Sequence, residues 1–193
     1  MLKFLKIVIG VFFVMQIAQA NEQDILKRDF LIKIDDVISI VQNKKLSKDI
    51  RNNKIVEVLT PMFDFELMAK LSLGRVWKKL NKDDGDKFVE LYVKRMKKSY
   101  SSKIDAYSDE KVEVTKVKQP KRNRIALVTN LVSKTNKLEI VYKFHKPKKL
   151  KMDKNRWLIY DVEILGVSIL KTDKAQFREF LKSHSLEELM SKM

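Results

Sequence analysis

Between residues 104 and 111 the hydrophobic period of the chain changes, and that change restricts the fold more than any other feature. Before it, apolar residues recur three and four apart; after it, they alternate with polar ones. In residues 22–42, Ile25, Leu26, Phe30, Ile34, Val37, Ile38 and Val41 predict one or two amphipathic helices with lysines on the far face. Residues 43–53 are polar and read as a loop with the start of a further helix, and residues 55–59 as helical or extended. Pro61 suits the opening of a helix, since the N–H it lacks has no partner there anyway. Phe63, Leu67, Met68 and Leu71 then share one face, and Gly74 ends the run. Asn81 is an N-cap followed by Asp83 and Asp84, and Phe88, Leu91, Tyr92, Met96 and Tyr100 carry a long helix to about Ile104. Strands are predicted over residues 111–118, 124–132, 137–144 and 156–165, with a turn at 133–136 and a lysine-rich loop at 146–155. Two short helices, around Phe177 and Leu189, close the chain. Short links between consecutive strands give an antiparallel meander. The fold class is therefore α+β: helices packed on one face of a curved antiparallel four-stranded sheet, leaving room for an apolar cavity.

The N-terminus bears on the compartment. Lys3 and Lys6 precede an apolar run over residues 7–17, and Ala18 and Ala20 stand at the −3 and −1 positions of a cleavage site. Residues 1–20 are thus expected to be a secretory signal peptide cut after Ala20, and residues 21–193 a single domain. The apolar run falls short of the roughly twenty residues a membrane span needs. The chain has no cysteine, which excludes thiol catalysis, thiolate metal sites and disulfides. Its formal charge is +16, and loss of Lys3 and Lys6 with the leader lowers this by two. So basic a chain suits an anionic partner: nucleic acid, an acidic protein or anionic lipid. Export argues against nucleic acid, and the lysines are spread along the chain rather than gathered on one helix.

Catalytic chemistry is sparsely provided for. His145 and His184 stand outside any metal or triad spacing and are expected at the surface. No glycine-rich phosphate loop is present, the glycines beyond the leader being Gly74, Gly85 and Gly166. Asp161 and Glu163 share one face of the fourth strand, so an acid–base enzyme built on this pair is the alternative to a binding protein. Solvated carboxylates are the plainer reading of the pair. The aromatic and methionine residues fall on elements that must face one another. Periodicity alone does not distinguish a filled core from a lined cavity.

Order in the sequence adds to this. Phe63-Asp64-Phe65, then Leu73-Gly74-Arg75-Val76-Trp77, then Phe88, Tyr92 and Tyr100 resemble the helical half of the MlaC family. Val141-Tyr142, Trp157-Leu158-Ile159-Tyr160-Asp161-Val162, Gly166-Val167-Ser168 and Gln176-Phe177 resemble its second half. These blocks extend from about residue 24 to the end. Asp173-Lys174 stands where that family commonly has a Tyr-Arg pair, and the loop at 146–155 is longer than usual.

The resemblance implies a periplasmic, non-enzymatic phospholipid carrier, an auxiliary component of an ABC transport system also known from toluene tolerance. It implies phospholipid as cargo and no cofactor or metal. The partners it implies are an outer-membrane lipoprotein complex and an inner-membrane MCE/ABC transporter, with transient contact at the membrane surface, no nucleic acid, and upkeep of outer-membrane lipid asymmetry. Acyl tails need apolar walls that repack, as Met and Phe do. The residues expected to line the cavity are Phe65, Met68, Leu71, Val76, Trp77, Leu91, Tyr92, Met96, Leu138, Ile140, Tyr142 and Ile159. Lys78, Lys79, Arg95 and the lysines of residues 146–154 are expected to offer positive charge to a phosphate or an acidic partner. Asp64 and Asp161 read as caps or hydrogen-bonding residues that set the fold.

Overall fold

The computed structural model describes residues 2–104, 110–147 and 156–193, with side chains for all of these except 2–21 and 100–104. The leader expected over residues 1–20 lies outside the residues whose side chains are described. Helices α1 (Leu2–Gln42), α2 (Lys48–Leu59), α3 (Phe65–Leu73) and α4 (Lys82–Ile104) precede strands β1 (Lys111–Lys121), β2 (Arg124–Val132), β3 (Lys137–His145), β4 (Leu158–Ile164) and β5 (Val167–Ser168). Helices α5 (Ile169–Phe180) and α6 (Leu186–Ser191) follow. The strands form one antiparallel sheet in chain order. The fold is α+β as the sequence predicts. The two-residue β5 is an addition to the four strands expected, too short for alternation to reveal. It turns back from β4 through Leu165 and Gly166, both at positive φ (50° and 79°), the backbone that a two-residue hairpin turn requires.

Local chemistry sets the helix boundaries. Asp64, Ser168 and Asn81 accept hydrogen bonds from the N–H groups of Leu67, Lys171 and Asp84, satisfying donors that a helix start leaves open. Ser185 and Glu188 form a reciprocal capping box at α6. Pro61 falls in a 3-10 turn (Thr60–Met62) rather than in α3: the Thr60 hydroxyl before it donates back to the Val56 carbonyl, and Asp64 is the side chain that caps α3.

Two bulges decide which side chains reach the core. In β1, Val114 pairs with Thr129 and Lys116 with Val128, leaving Thr115 unpaired. Val117, three residues past Val114, thereby returns to the face of Val112 and Val114. In β4, Ile159 pairs with Phe144 and Asp161 with Lys143, leaving Tyr160 unpaired. Val162 and Ile164 so join Ile159 on the inner face, and Asp161 and Glu163 occupy the outer one.

Helix α1 lies across that inner face. Leu26, Phe30 and Ile34, at i, i+4 and i+8, are buried against Ile125, Leu127, Ile140, Phe144, Ile159 and Val162. The Phe30 ring sits 4.8 Å from Tyr142 and 6.0 Å from Phe144, the latter edge to face. Beside the sheet, α3, α4, α5 and α6 enclose a second core of Met68, Leu73, Phe88, Tyr92, Phe177, Leu189 and Met190. Phe177 meets Phe88 and Tyr92 edge to face at 5.9 and 6.3 Å. The two cores join where Phe63 and Asp64 run alongside β4, the Asp64 N–H donating to the Ile159 carbonyl at 2.8 Å.

Candidate functional site

Between α1, α2 and the inner sheet face lies a cavity of about 310 Å³. That volume is at the lower end of the roughly 300–1,000 Å³ typical of ligand sites. Its roof is the apolar stripe of α1 past Phe30 (Ile34, Val37, Ile38 and Val41), and Val56, Leu59, Met62 and Phe63 close one side. Its floor is Val112, Leu131, Ile140, Tyr142, Ile159, Val162 and Ile164, of which the bulge at Tyr160 brings Val162 and Ile164 into phase with Ile159. Thr129 also faces in, but its Oγ1 donates to the Ile140 carbonyl at 2.9 Å and so asks nothing of an occupant. These walls can hold an apolar guest of loosely specified shape, since they offer contact area and few directional groups.

The lining also carries polar side chains. Arg95, Lys97 and Ser99 join it from α4, with Glu110 ahead of β1 and Asp173 from α5. Asp173 is 4% exposed and accepts hydrogen bonds at 2.8 Å from the Tyr92 hydroxyl and from Arg95. Arg95 also donates to Gln176, and its guanidinium lies 5.2 Å from the centre of the Phe177 ring. The lining thus includes a fixed ion pair, Arg95 with Asp173, and a half-buried Lys97.

Of the residues expected at the cavity, the structure gathers Phe65, Met96, Ile140, Tyr142 and Ile159 around it. Leu138 packs against the same core without lining the cavity. Met68 and Tyr92 are fully buried in the helical core, where Val76, Trp77 and Leu91 pack against them, and Leu71 is exposed. Trp77 lies across Gly85 of α4, its ring 3.3 Å from where a Cβ would stand, an approach that a larger residue would obstruct. Reading the sequence alone did not single out the α1 stripe. Its periodicity was visible, but an amphipathic helix looks the same whether its apolar face meets a packed layer or a space.

The basic residues divide as well. Lys78 and Lys79 are exposed on the 3-10 turn of residues 76–79 and do not reach the cavity. Arg95 does, already bonded to Asp173. Lys146 pairs with Glu22 at 2.8 Å, and the lysines of residues 148–154 lie outside the described residues.

Two expectations for the polar residues are corrected. Asp161 is 3% exposed rather than solvated. It accepts from the Ser168 hydroxyl at 2.8–2.9 Å, from the Leu170 N–H at 3.2 Å and from Lys143 at 3.0 Å. Its oxygens hold the start of α5 against β4 instead of facing a substrate, and Glu163 pairs with the same Lys143 at 2.6 Å. Burial acts to lower the pKa of Lys143, but hydrogen bonds to Glu163 and Asp161 and their charges more than offset it and hold the ammonium above its ordinary value. His145 is likewise buried rather than exposed, because the strand continues one residue further than predicted. Its Nε2 lies 2.8 Å from Asp64 Oδ2. His184 is exposed. Among the described residues, no group of three or more His, Asp and Glu side chains is placed to hold a metal ion.

The sequence profile of the family described as MlaC protein matches residues 33–193. Among curated proteins, the chain is similar to the intermembrane phospholipid transport system binding protein MlaC of Haemophilus influenzae, at 22% identity over 138 residues. That match covers 70% of this chain and 63% of the relative, so the chain spans less than two thirds of the relative's length. Among solved structures, it is similar to the phospholipid-binding protein from Ralstonia solanacearum, which was solved in complex with a phospholipid. The TM-score is 0.72 at 16% identity, over 88% of this chain and 92% of that one. At that identity the likeness is one of fold.

Proposed function

The chain belongs to the MlaC family, and from that we propose that it is a periplasmic carrier that takes up the acyl tails of a phospholipid in the cavity beneath α1. The cargo passes between an outer-membrane lipoprotein complex and an inner-membrane MCE/ABC transporter, with transient contact at the membrane surface, and so sustains the lipid asymmetry of the outer membrane. No covalent step is involved. Residues 1–20 serve as a signal peptide cut after Ala20, and residues 21–193 act as the single carrier domain.

The observation that carries this reading is the cavity itself. Its lining is mainly apolar and includes a few charged side chains, Arg95, Lys97, Glu110 and Asp173, a composition that suits a lipid's tails and its charged head. Each CH₂ withdrawn from water contributes roughly 0.8 kcal/mol, so a tail of many carbons binds without any hydrogen bond along its length. The fold shared with a protein solved around a phospholipid supports the same reading. The walls we assign to the tails are the α1 stripe, the inner sheet residues, Phe65 and Met96.

Mass spectrometry of the purified protein, first native and then after organic extraction, tests the proposal. The expected result is a bound mass that resolves into phospholipids at about one per chain. A bare mass that persists after incubation with phospholipid vesicles would overturn it.

A further inference from the structure

The cations on the cavity lining differ in what they have already bonded. Arg95 gives two of its five donors, to Asp173 at 2.8 Å and to Gln176 at 3.4 Å, its charge is paired with the Asp173 carboxylate, and its guanidinium lies over the Phe177 ring. Asp173, buried and also bonded by Tyr92, fixes that arrangement. Lys97 lies two residues on, half-buried, and among the described residues it forms no ion pair. Lys97 contributes to a lining that is mainly apolar, where exclusion of water strengthens a cation's attraction for an anion. An ammonium is a compact charge that serves phosphate without demanding the fork geometry of a guanidinium.

We propose that Lys97 is the phosphate-binding residue of the cavity, and that Asp173 withholds Arg95 from that role. This rests on the carrier reading and adds to it the group that fixes the lipid's depth. An anionic phosphate ester is common to all phospholipids, so an anchor of this kind requires the phosphate and is indifferent to any alcohol esterified beyond it.

The test compares two lipids with identical tails, dioleoylphosphatidylglycerol and dioleoylglycerol. Each is offered in mixed micelles to the delipidated protein, and binding is followed by native mass spectrometry. Lys97→Gln is expected to weaken phosphatidylglycerol binding about tenfold and to leave diacylglycerol within about twofold. Lys97→Arg is expected to restore most of the loss. Lys94→Gln, which removes the same charge from an exposed position on α4 outside the cavity, is expected to change neither lipid. The assignment is overturned if Lys97→Gln weakens both lipids equally or neither, or if Lys94→Gln matches it; the carrier reading survives those results. An unaltered protein that takes up neither lipid overturns both.

Discussion

Asp64 is the residue at which helices and sheet are tied together. One carboxylate oxygen caps α3 through the Leu67 N–H at 2.9 Å, and the other lies 2.8 Å from His145 on β3. Its backbone N–H bonds to β4, and the neighbouring Phe63 and Phe65 both line the cavity. Burial acts to raise its pKa, but the hydrogen bonds from His145 and Leu67 and the charges of His145 and Lys70 outweigh it. The carboxyl is held below its ordinary 3.8. With the carboxylate ionised and able only to accept, the imidazole Nε2 is the donor. A depressed native pKa means that the unfolded chain binds the proton more readily. The stabilisation is therefore complete above 3.8 and is lost as the pH falls from there through the lower native value. Asp64→Asn is expected to cost about 1–2 kcal/mol at neutral pH and to flatten the decline of stability below about pH 4. Urea unfolding across that range checks it. Parallel pH profiles for the two proteins would show that this carboxylate is not the group responsible.

At the scale of elements, α5 is seated by β4. Asp161 receives the Leu170 N–H and the Ser168 hydroxyl, and Ser168 in turn caps the helix through Lys171. The acid–base alternative treats Asp161 as a catalyst whose loss spares the fold. Its burial and its bonds give the opposite expectation. Asp161→Ala should lower stability by about 2–4 kcal/mol, since the helix start loses an acceptor and the half-buried Lys143 keeps only Glu163. Thermal and urea unfolding would measure this, and a loss well under 1 kcal/mol would return Asp161 to the candidates for chemistry. The start of α3 was read at Pro61, three residues ahead of its cap at Asp64. That α4 begins at Asn81 was legible from its cap and period, as were the strands, because those signals are local. The bulges at Thr115 and Tyr160 were not, although Val112, Val114 and Val117 carry a trace of the first in their broken alternation. A bulge answers to the partner strand, which the local sequence does not display. For the same reason β5, two residues long, left no pattern to read.

On the scale of the whole molecule, the fold contains two cores of different character. The helical one packs aromatics edge to face, Phe88 and Tyr92 against Phe177, and the one between α1 and the sheet leaves a cavity. Sequence reading could list the apolar residues of both but could not assign space to either. Met68, Trp77 and Tyr92 therefore looked as suited to a lining as Ile34 and Val37. Whether side chains fill the gap between elements depends on how far apart the finished fold holds them, and period carries no distance. The contrast gives paired expectations. Phe88→Ala, in the helical core, should cost about 3–5 kcal/mol in stability yet leave the lipid bound per folded chain unchanged. Val37→Trp places a large ring from α1 into the cavity at a half-buried position with room for it. It should change stability by no more than about 1–2 kcal/mol while lowering bound lipid severalfold. Urea unfolding and native mass spectrometry on the same preparations separate the two effects. Should Val37→Trp carry its full complement of phospholipid while Phe88→Ala loses it, the tails would have to lie among the four helices, and the division of labour between the cores would be reversed.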